Sequence, residues 1–248
     1  MAEYLWVVPV KGESARCPGK NLRPMGPGSW PMFLRTVQAA RECGGSVALA
    51  TDSKDAQTWA PCAAGCPVLL RPPALSEPDV SAVSVVLWAM DILGVPDDDE
   101  HAVGMLLPTS PLRTAATIRR CMELWGRDPC ASVATVREVH KGALRYDTSS
   151  GWLAKLGPPR SPAEPYAAGW PPSPSVYVST GGCQIASART LRAQGRYWVP
   201  KTRPVVVDAV EGLDVDTEAD FALADAWLWR NSYRIGQVTE AARTTEDP

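Results

Sequence analysis

Phenylalanine and histidine are nearly missing from this chain, with two of each in 248 residues. Neither histidine stands beside a serine or cysteine motif, which leaves little basis for a hydrolytic triad. An excess of one charge is missing too. Against 25 Lys and Arg stand 27 Asp and Glu, a formal net charge of −2, so no global basic field directs the chain to nucleic acid or to an anionic membrane. Any phosphate site must be built locally. Long apolar runs are absent. The longest candidate, 83–93, contains Asp91 and predicts a buried helix, not a membrane span. The N-terminus lacks a basic region and a small-residue cleavage site, so no signal peptide is expected. Seven scattered cysteines form no disulfide framework and fit buried thiols in a reducing cytoplasm. Cys62 and Cys66 are the closest pair, and no second pair or nearby His completes a zinc site.

What the chain has is 24 Pro, 10 Trp and a hydrophobic fraction of 45%, enough for one large α/β domain with a sizeable core. Short apolar runs at 5–10, 46–50, 68–70, 102–107 and 132–136 alternate with helical spacing at 32–43, 80–93 and from Thr114 onward. A further short helix is expected at 56–64, with Pro61 interrupting it. That alternation predicts a Rossmann-like α/β fold, a mostly parallel sheet with helices on both faces. The rhythm breaks at 146–175, where seven prolines fall between Pro158 and Pro174. This segment is expected to be an arm inserted in the domain, either a surface loop or a packing arm of a homodimer. Regular structure resumes at 176–186 and 204–210, and a helix from Thr217 to about Trp229 closes a domain spanning 1–236. The polar tail 237–248 is expected to be disordered.

In open α/β sheets ligands bind beyond the carboxyl ends of the strands, and four polar loops follow such ends: 11–21, 71–84, 108–113 and 214–218. The first, Lys11-Gly12-Glu13-Ser14-Ala15-Arg16-Cys17-Pro18-Gly19-Lys20-Asn21, sets three cations and two glycines directly after a buried strand. Backbone N–H groups and cations together can neutralise a triphosphate. The spacing is not that of a P-loop, since Gly12 is too far from Gly19-Lys20 and Asn21 stands where Ser or Thr belongs. In the last loop Asp214 and Asp216 are two apart, so in extended backbone they project to one side and can grip one hard cation. Alternatively, Asp216 is only the N-cap of the helix beginning at Thr217.

Taken together, six segments resemble the acylneuraminate cytidylyltransferase family. They are Val8-Pro9-Val10-Lys11-Gly12 through Gly19-Lys20-Asn21, Thr51-Asp52, Leu70-Arg71-Pro72 with Asp79, Leu106-Leu107-Pro108-Thr109-Ser110-Pro111-Leu112-Arg113-Thr114, 176–186, and Asp214-Val215-Asp216-Thr217-Glu218-Ala219-Asp220. They run in family order from about residue 5 to residue 225. The resemblance implies an enzyme, commonly a dimer, that joins CTP to a 2-keto sugar acid and releases pyrophosphate. By that resemblance Lys20, Arg16 and Lys11 hold the β- and γ-phosphates, helped by the backbone around Gly12 and Ser14. Asp214 and Asp216 hold Mg²⁺. Asn21, Arg71, Asp79 and Ser81 lie on the nucleotide, and Thr109, Ser110 and Arg113 shape the floor. Neither nucleic acid nor membrane is an expected partner.

Departures cluster on the acceptor side. Leu107 stands where the family has Gln, Thr180 where it has Asn, Gly182 where it has Ala and Gln184 where it has Tyr. With Gly181 these positions form the expected acceptor pocket, which has lost hydroxyl readers. A pocket of that kind discriminates through its polar groups, so a small phosphonate is the alternative acceptor. Lys141, Arg160, Arg189 and Lys201 are the cations that could meet one. The rival classes are a catalytically silent nucleotide-binding protein and a glycosyltransferase, which also uses two aspartates in this spacing.

Overall fold

The computed structural model describes residues 3–59, 65–127, 132–139, 144–147, 152–155 and 176–244. The first strand, β1 (Glu3–Val10), lies inside the sheet and is a run buried on both faces. Trp6, Val8 and Val10 point into one apolar cluster and Val7 into another. This two-sided burial is why the strand reads as continuous apolar sequence instead of an alternating one. Trp6 is fully buried and is the largest side chain in the core among the described residues. It fits because Gly104 on the neighbouring strand has no side chain, and any Cβ there would collide with the indole.

After β1 come a short hairpin, β2 (Pro24–Met25) with β3 (Trp30–Pro31), then helix α1 (Met32–Cys43), β4 (Ser46–Thr51), α2 (Lys54–Thr58) and β5 (Val68–Leu70). Next are α3 (Ala82–Ile92), β6 (His101–Met105), α4 (Ala115–Arg127) and β7 (Ser132–Val139). Strand β8 (Leu144–Asp147) pairs antiparallel with β9 (Trp152–Lys155). The chain closes with β10 (Val176–Ser187), α5 (Ala188–Gln194), β11 (Thr202–Val207) and α6 (Glu218–Thr244). The main sheet has the order β11-β7-β10-β6-β1-β4-β5. All its pairings are parallel except the two made by β10, which runs against both β6 and β7.

Helices cover both faces. Phe33, Leu34 and Val37 of α1 join Ile118 and Cys121 of α4 on one side. Val86 and Met90 of α3 join Leu191 of α5 on the other. Several helices start on a capping hydroxyl, as α3 does with the Ser84 amide donating to Ser81 Oγ at 3.1 Å. Thr114 does the same for α4, its Oγ1 accepting from the Thr117 amide at 3.2 Å.

The architecture agrees with the mostly parallel α/β expectation, and several local details differ. The helix expected at 56–64 is a single turn starting at Lys54, and 60–64 lie outside the described residues. The last strand stops at Val207, where Asp208 begins a turn. Helix α5 was not expected; Ser187 caps its first turn. Helix α6 runs on through Thr244, past the expected boundary at 236, because Glu240, Ala241, Ala242 and Arg243 are good helix formers. Residues 245–248 lie outside the described residues. Within the expected arm, Tyr146 and Asp147 pair with Leu153 and Trp152 as antiparallel strand instead of lying in an aperiodic segment, and 148–151 and 156–175 lie outside the described residues.

Candidate active site

Residues 11–21 leave the carboxyl end of β1 and are pinned at both ends. Asn21 Nδ2 donates to the Lys11 carbonyl at 2.7 Å, closing the loop on itself. The Gly12 amide donates to Asp52 Oδ1 at 2.7 Å, and a Cβ on Gly12 would stand 3.0 Å from Ser53 Cβ. Glycine is therefore what lets the loop lie against the end of β4. Farther along, Cys17 is buried with Met25, Met32, Leu112, Val215 and Phe221 in a third apolar cluster. Arg23 ties this corner to α6, with Nη1 at 2.7 Å from Glu218 Oε1 and its guanidinium 4.0 Å above the Phe221 ring. Burial, and then the Glu218 hydrogen bond, push the Cys17 thiol pKa up. Between these anchors Ala15 and Arg16 are exposed and Ser14 is half-buried.

The two aspartates reach this loop from the far edge of the sheet. After β11 the chain crosses the strand ends, and the Val215 amide donates to the Thr109 carbonyl at 2.7 Å. Lys20 is buried, and its Nζ donates to the Val215 carbonyl at 2.6 Å and to Asp216 Oδ1 at 3.1 Å. Arg16 Nη2 lies 3.0 Å from the same Asp216 oxygen, although the Arg16 side chain is 69% exposed. Asp216 is not the helix cap. Thr217 fills that position, its Oγ1 accepting from the Asp220 amide at 3.3 Å while Asp220 Oδ2 accepts from the Thr217 amide at 2.8 Å. The Asp216 carboxylate is thus left for cations. Asp214 stays solvent-accessible at the mouth, yet protein closes around its inner side. Partial dehydration raises its pKa, the Asp216 charge adds to this, and the Thr109 hydrogen bond, Lys20 and Arg16 oppose it. Among the described residues no group of three or more His, Cys, Asp or Glu forms a metal cluster. Two carboxylates suit Mg²⁺, which typically keeps waters and takes its other ligands from phosphates.

Past β5, Arg71 is buried and its Nη2 lies 2.5 Å from Asp52 Oδ2. The pair holds the ends of β4 and β5 together. Asp52 carries both this contact and the Gly12 amide. Sequence reading recognised Thr51-Asp52 as a motif but gave Asp52 no role, because its partners lie 40 residues before it and 19 after. Asp79 is exposed, and the Ser81 hydroxyl is engaged as the α3 cap, 2.9 Å from Ser84 Oγ.

Beyond β6, Arg113 faces inward. Its Nε donates to the Ser110 carbonyl at 3.1 Å and its Nη2 to the Leu107 carbonyl. Arg113 therefore shapes the turn through Nε and Nη2, as expected of a floor residue. Burial lowers its pKa. Thr180, expected in the acceptor pocket, is also engaged within the protein. It is buried, with its Oγ1 2.8 Å from Thr135 Oγ1, so its hydroxyl is spent within the protein. Gln184 is buried inside the sheet between Met105 and Ala134. Leu107, half-buried, and Gly181 do meet, the Leu107 amide donating to the Gly181 carbonyl at 3.1 Å. Asn21 Oδ1, Arg71 Nε, Ser110 Oγ and Arg113 Nη1 are buried around this cleft with no hydrogen-bond partner in the protein. Such orphans mark where a polar ligand or ordered water belongs. Of the four cations considered for a phosphonate, Arg189 is paired with Asp99 at 2.8 Å and Lys201 is exposed. Lys141 and Arg160 lie outside the described residues.

A separate cavity of about 680 Å³ opens at the amino ends of β1 and β4, lined in part by Glu3, Arg41, Cys66 and His101. It is at the opposite end of the sheet from these loops and takes no part in the site.

A mostly parallel sheet with a cation loop and an acidic loop over its carboxyl ends defines a Rossmann-like nucleotidyltransferase. The chain belongs to the cytidylyltransferase family, whose profile matches residues 5–136. It is 27% identical over 234 residues to the CMP-N,N'-diacetyllegionaminic acid synthase of Legionella pneumophila, covering 92% of this chain and 97% of that protein. To the N-acylneuraminate cytidylyltransferase of Streptococcus agalactiae it is 25% identical over 226 residues, 87% of this chain but 51% of that protein. The chain thus spans about half the length of the streptococcal relative. Among solved structures, the CMP:2-keto-3-deoxy-manno-octonic acid synthetase complexed with CTP shares the fold, with a TM-score of 0.66, 16% identity and coverage of 93% of this chain and 100% of that one. So does a 4-diphosphocytidyl-2C-methyl-D-erythritol synthase, with a TM-score of 0.65, 10% identity and coverage of 92% and 100%.

Proposed function

We propose that this protein transfers CMP from CTP to a 2-keto sugar acid and releases pyrophosphate, with Mg²⁺ as its cofactor. The observation that carries the reading is the convergence of Lys20, Arg16, Asp214 and Asp216 at one point. The sugar-acid class is supported by the Legionella relative, 97% of whose length is matched. In this reading an acceptor oxygen attacks the α-phosphorus, the bond to the β-phosphate oxygen breaks, and the acceptor proton passes to solvent. Lys20, Arg16 and Lys11 neutralise the β- and γ-phosphates and the departing pyrophosphate, while the amides near Gly12 and Ser14 orient them. Mg²⁺ bound by Asp214 and Asp216 supplies Lewis-acid neutralisation at the phosphates. Asp52 and Arg71 hold the nucleotide end of the cleft, beside Asp79 and Ser81. No side-chain nucleophile is needed, and the rate comes from positioning and charge neutralisation.

A homodimer whose arm, 146–175, crosses to its partner belongs to the same proposal. Its support is the insertion of that segment between two adjacent strands, β7 and β10. Sedimentation at micromolar concentration tests it, and a monomer refutes it. The free thiols of Cys17, Cys43, Cys66, Cys121 and Cys183 support a reducing, cytoplasmic setting. Pyrophosphate release from CTP and Mg²⁺ with a panel of sugar acids tests the reaction itself. No release with any acid, and equal thermal protection by CTP, ATP, GTP and UTP, would refute it.

A further inference from the structure

We propose that Thr135 is a positioning residue for the acceptor wall, and that the missing side chain at Gly181 sets which acceptors the wall admits. This rests on the sugar-acid reading above. The nucleotide-side contacts, through Lys11, Gly12, Asp52 and Arg71, lie over β1, β4 and β5. Thr109, at the end of β6, holds the aspartate loop through Val215. The other half of the strand ends, over β6, β10 and β7, is what remains for the acceptor.

On that half, β7 and β10 fall out of register. Ser179 opposes Val136 and Gln184 opposes Ala134, so the four residues 180–183 face Thr135 alone. A bulge of this width deprives backbone groups of ladder partners. The Thr135 side chain, fully buried, replaces them. Its Oγ1 accepts from the Cys183 amide at 2.8 Å and from Thr180 Oγ1 at 2.8 Å, and donates to the Cys183 carbonyl at 3.2 Å. The Gly182 amide in turn donates to Thr180 Oγ1 at 3.4 Å. The Thr180 hydroxyl also reaches the Thr135 carbonyl at 3.3 Å, so every hydroxyl proton in the network has an acceptor.

Held this way, the bulge thrusts the 181 backbone towards β6, where its carbonyl takes the Leu107 amide at 3.1 Å. A Cβ at 181 would stand 2.9 Å from Leu107 Cβ and 3.0 Å from Ser110 Oγ, a buried hydroxyl with no protein partner. A Cβ at 182 would stand 2.9 Å from Thr135 Oγ1. The two glycines are therefore what the bulge geometry demands. The wall presented to the acceptor is a backbone edge and Leu107, with Ser110 Oγ beneath.

The test varies the acceptor, N,N'-diacetyllegionaminic acid or N-acetylneuraminate, whichever the unaltered protein turns over, at saturating CTP. CTP binding is measured separately by calorimetry. Thr135→Val keeps the shape and removes the hydroxyl. It is expected to raise the acceptor KM about tenfold, with the CTP Kd changed less than about twofold, while Thr135→Ser restores the acceptor KM. Gly181→Ala, which leaves the hydroxyl network in place, is expected to lower acceptor kcat/KM about tenfold with CTP binding kept. An unchanged acceptor KM in Thr135→Val, equal losses of acceptor and CTP affinity, or no rescue by serine overturns the inference. If Thr135→Val does not fold, an unaffected acceptor kcat/KM in Gly181→Ala overturns it. Failure of the unaltered protein to release pyrophosphate with any acid overturns the sugar-acid reading first and this inference with it.

Discussion

Lys20 and Asp216, 196 positions apart in sequence, meet in an ion pair of 3.1 Å at the centre of the cleft. The lysine is also bound to the carbonyl of Val215, the residue before that aspartate, at 2.6 Å. One buried ammonium therefore fixes the loop that carries both candidate metal ligands. The charge needed for a triphosphate and the charge needed for a cation sit on the same pair, and each half of the site positions the other.

Separating the metal role of Asp216 from helix capping takes two variants. Asp216→Asn keeps a polar partner for Lys20 and loses the negative charge, so pyrophosphate release should fall at least about a hundredfold while the fold survives. Thr217→Val removes the real cap and should cost about 1 kcal/mol of stability with little loss of turnover. Near-normal turnover in Asp216→Asn would show the metal assignment to be wrong.

Because Lys20 and Arg16 already neutralise Asp216, a divalent cation alone should bind weakly. Arg16 is the exposed member of the pair and is free to move onto a phosphate. Titrated with Mn²⁺ and followed by electron paramagnetic resonance, Arg16→Gln should bind the ion about tenfold more tightly than the unaltered protein without nucleotide. CTP should close most of that gap. Equal affinities in the two proteins would mean that Arg16 does not compete with the metal.

The pair of Asp52 and Arg71 predicts a pH dependence. Burial is the largest single influence on Asp52 and raises its pKa, but the Arg71 contact and the Gly12 amide together bring it below the ordinary 3.8. A folded pKa below the unfolded one stabilises the protein above 3.8, and that stabilisation is lost as pH falls through the lower folded value. Asp52→Asn should lower stability near neutrality by about 3 kcal/mol, since it leaves Arg71 buried without its charge partner. In urea unfolding, the difference from the unaltered protein should shrink below pH 3.8. A difference independent of pH would exclude the ion pair as its source.

Leu107 predicts the acceptor. An apolar side chain there cannot pair with a hydroxyl, and a buried unmatched polar group costs about 1–3 kcal/mol. N-acetylneuraminate should therefore be a poorer substrate than an acid with fewer hydroxyls at the contact, and Leu107→Gln should improve it. Comparison of kcat/KM for N-acetylneuraminate, N,N'-diacetyllegionaminic acid and a small phosphonate panel decides this. Efficient turnover of N-acetylneuraminate by the unaltered protein would remove Leu107 as a determinant, and turnover of phosphonates alone would move the acceptor to that class.

The local sequence determined most of the strand and helix order. A buried parallel strand such as β1 must be apolar on both faces, and helices such as α1 show their burial as spacing. Turn chemistry alone also located the four candidate loops, since each follows an apolar run. It could not say which side chains in those loops are free. Thr180 and Ser81 looked like ligand contacts, but Thr135 and Ser84 occupy them. Asp216 looked like a possible cap until Thr217 and Asp220 took that role. Hydrogen-bond capacity is shared among neighbours in space, and a one-dimensional pattern does not reveal who shares it.

Tertiary structure alone decided the crossing of the 208–217 segment and the bulge of β10. Strand β11 is the sheet's edge, three places from β6. Nothing in Leu213-Asp214-Val215-Asp216 states that the loop traverses that distance to bond Thr109 and Lys20. Likewise, the sequence Thr180-Gly181-Gly182-Cys183 permits a bulge, but only pairing with β7 sets it opposite Thr135. Both features depend on contacts between residues far apart in the chain. Those contacts form only when the sheet closes and brings unmatched backbone groups and charges within reach of each other.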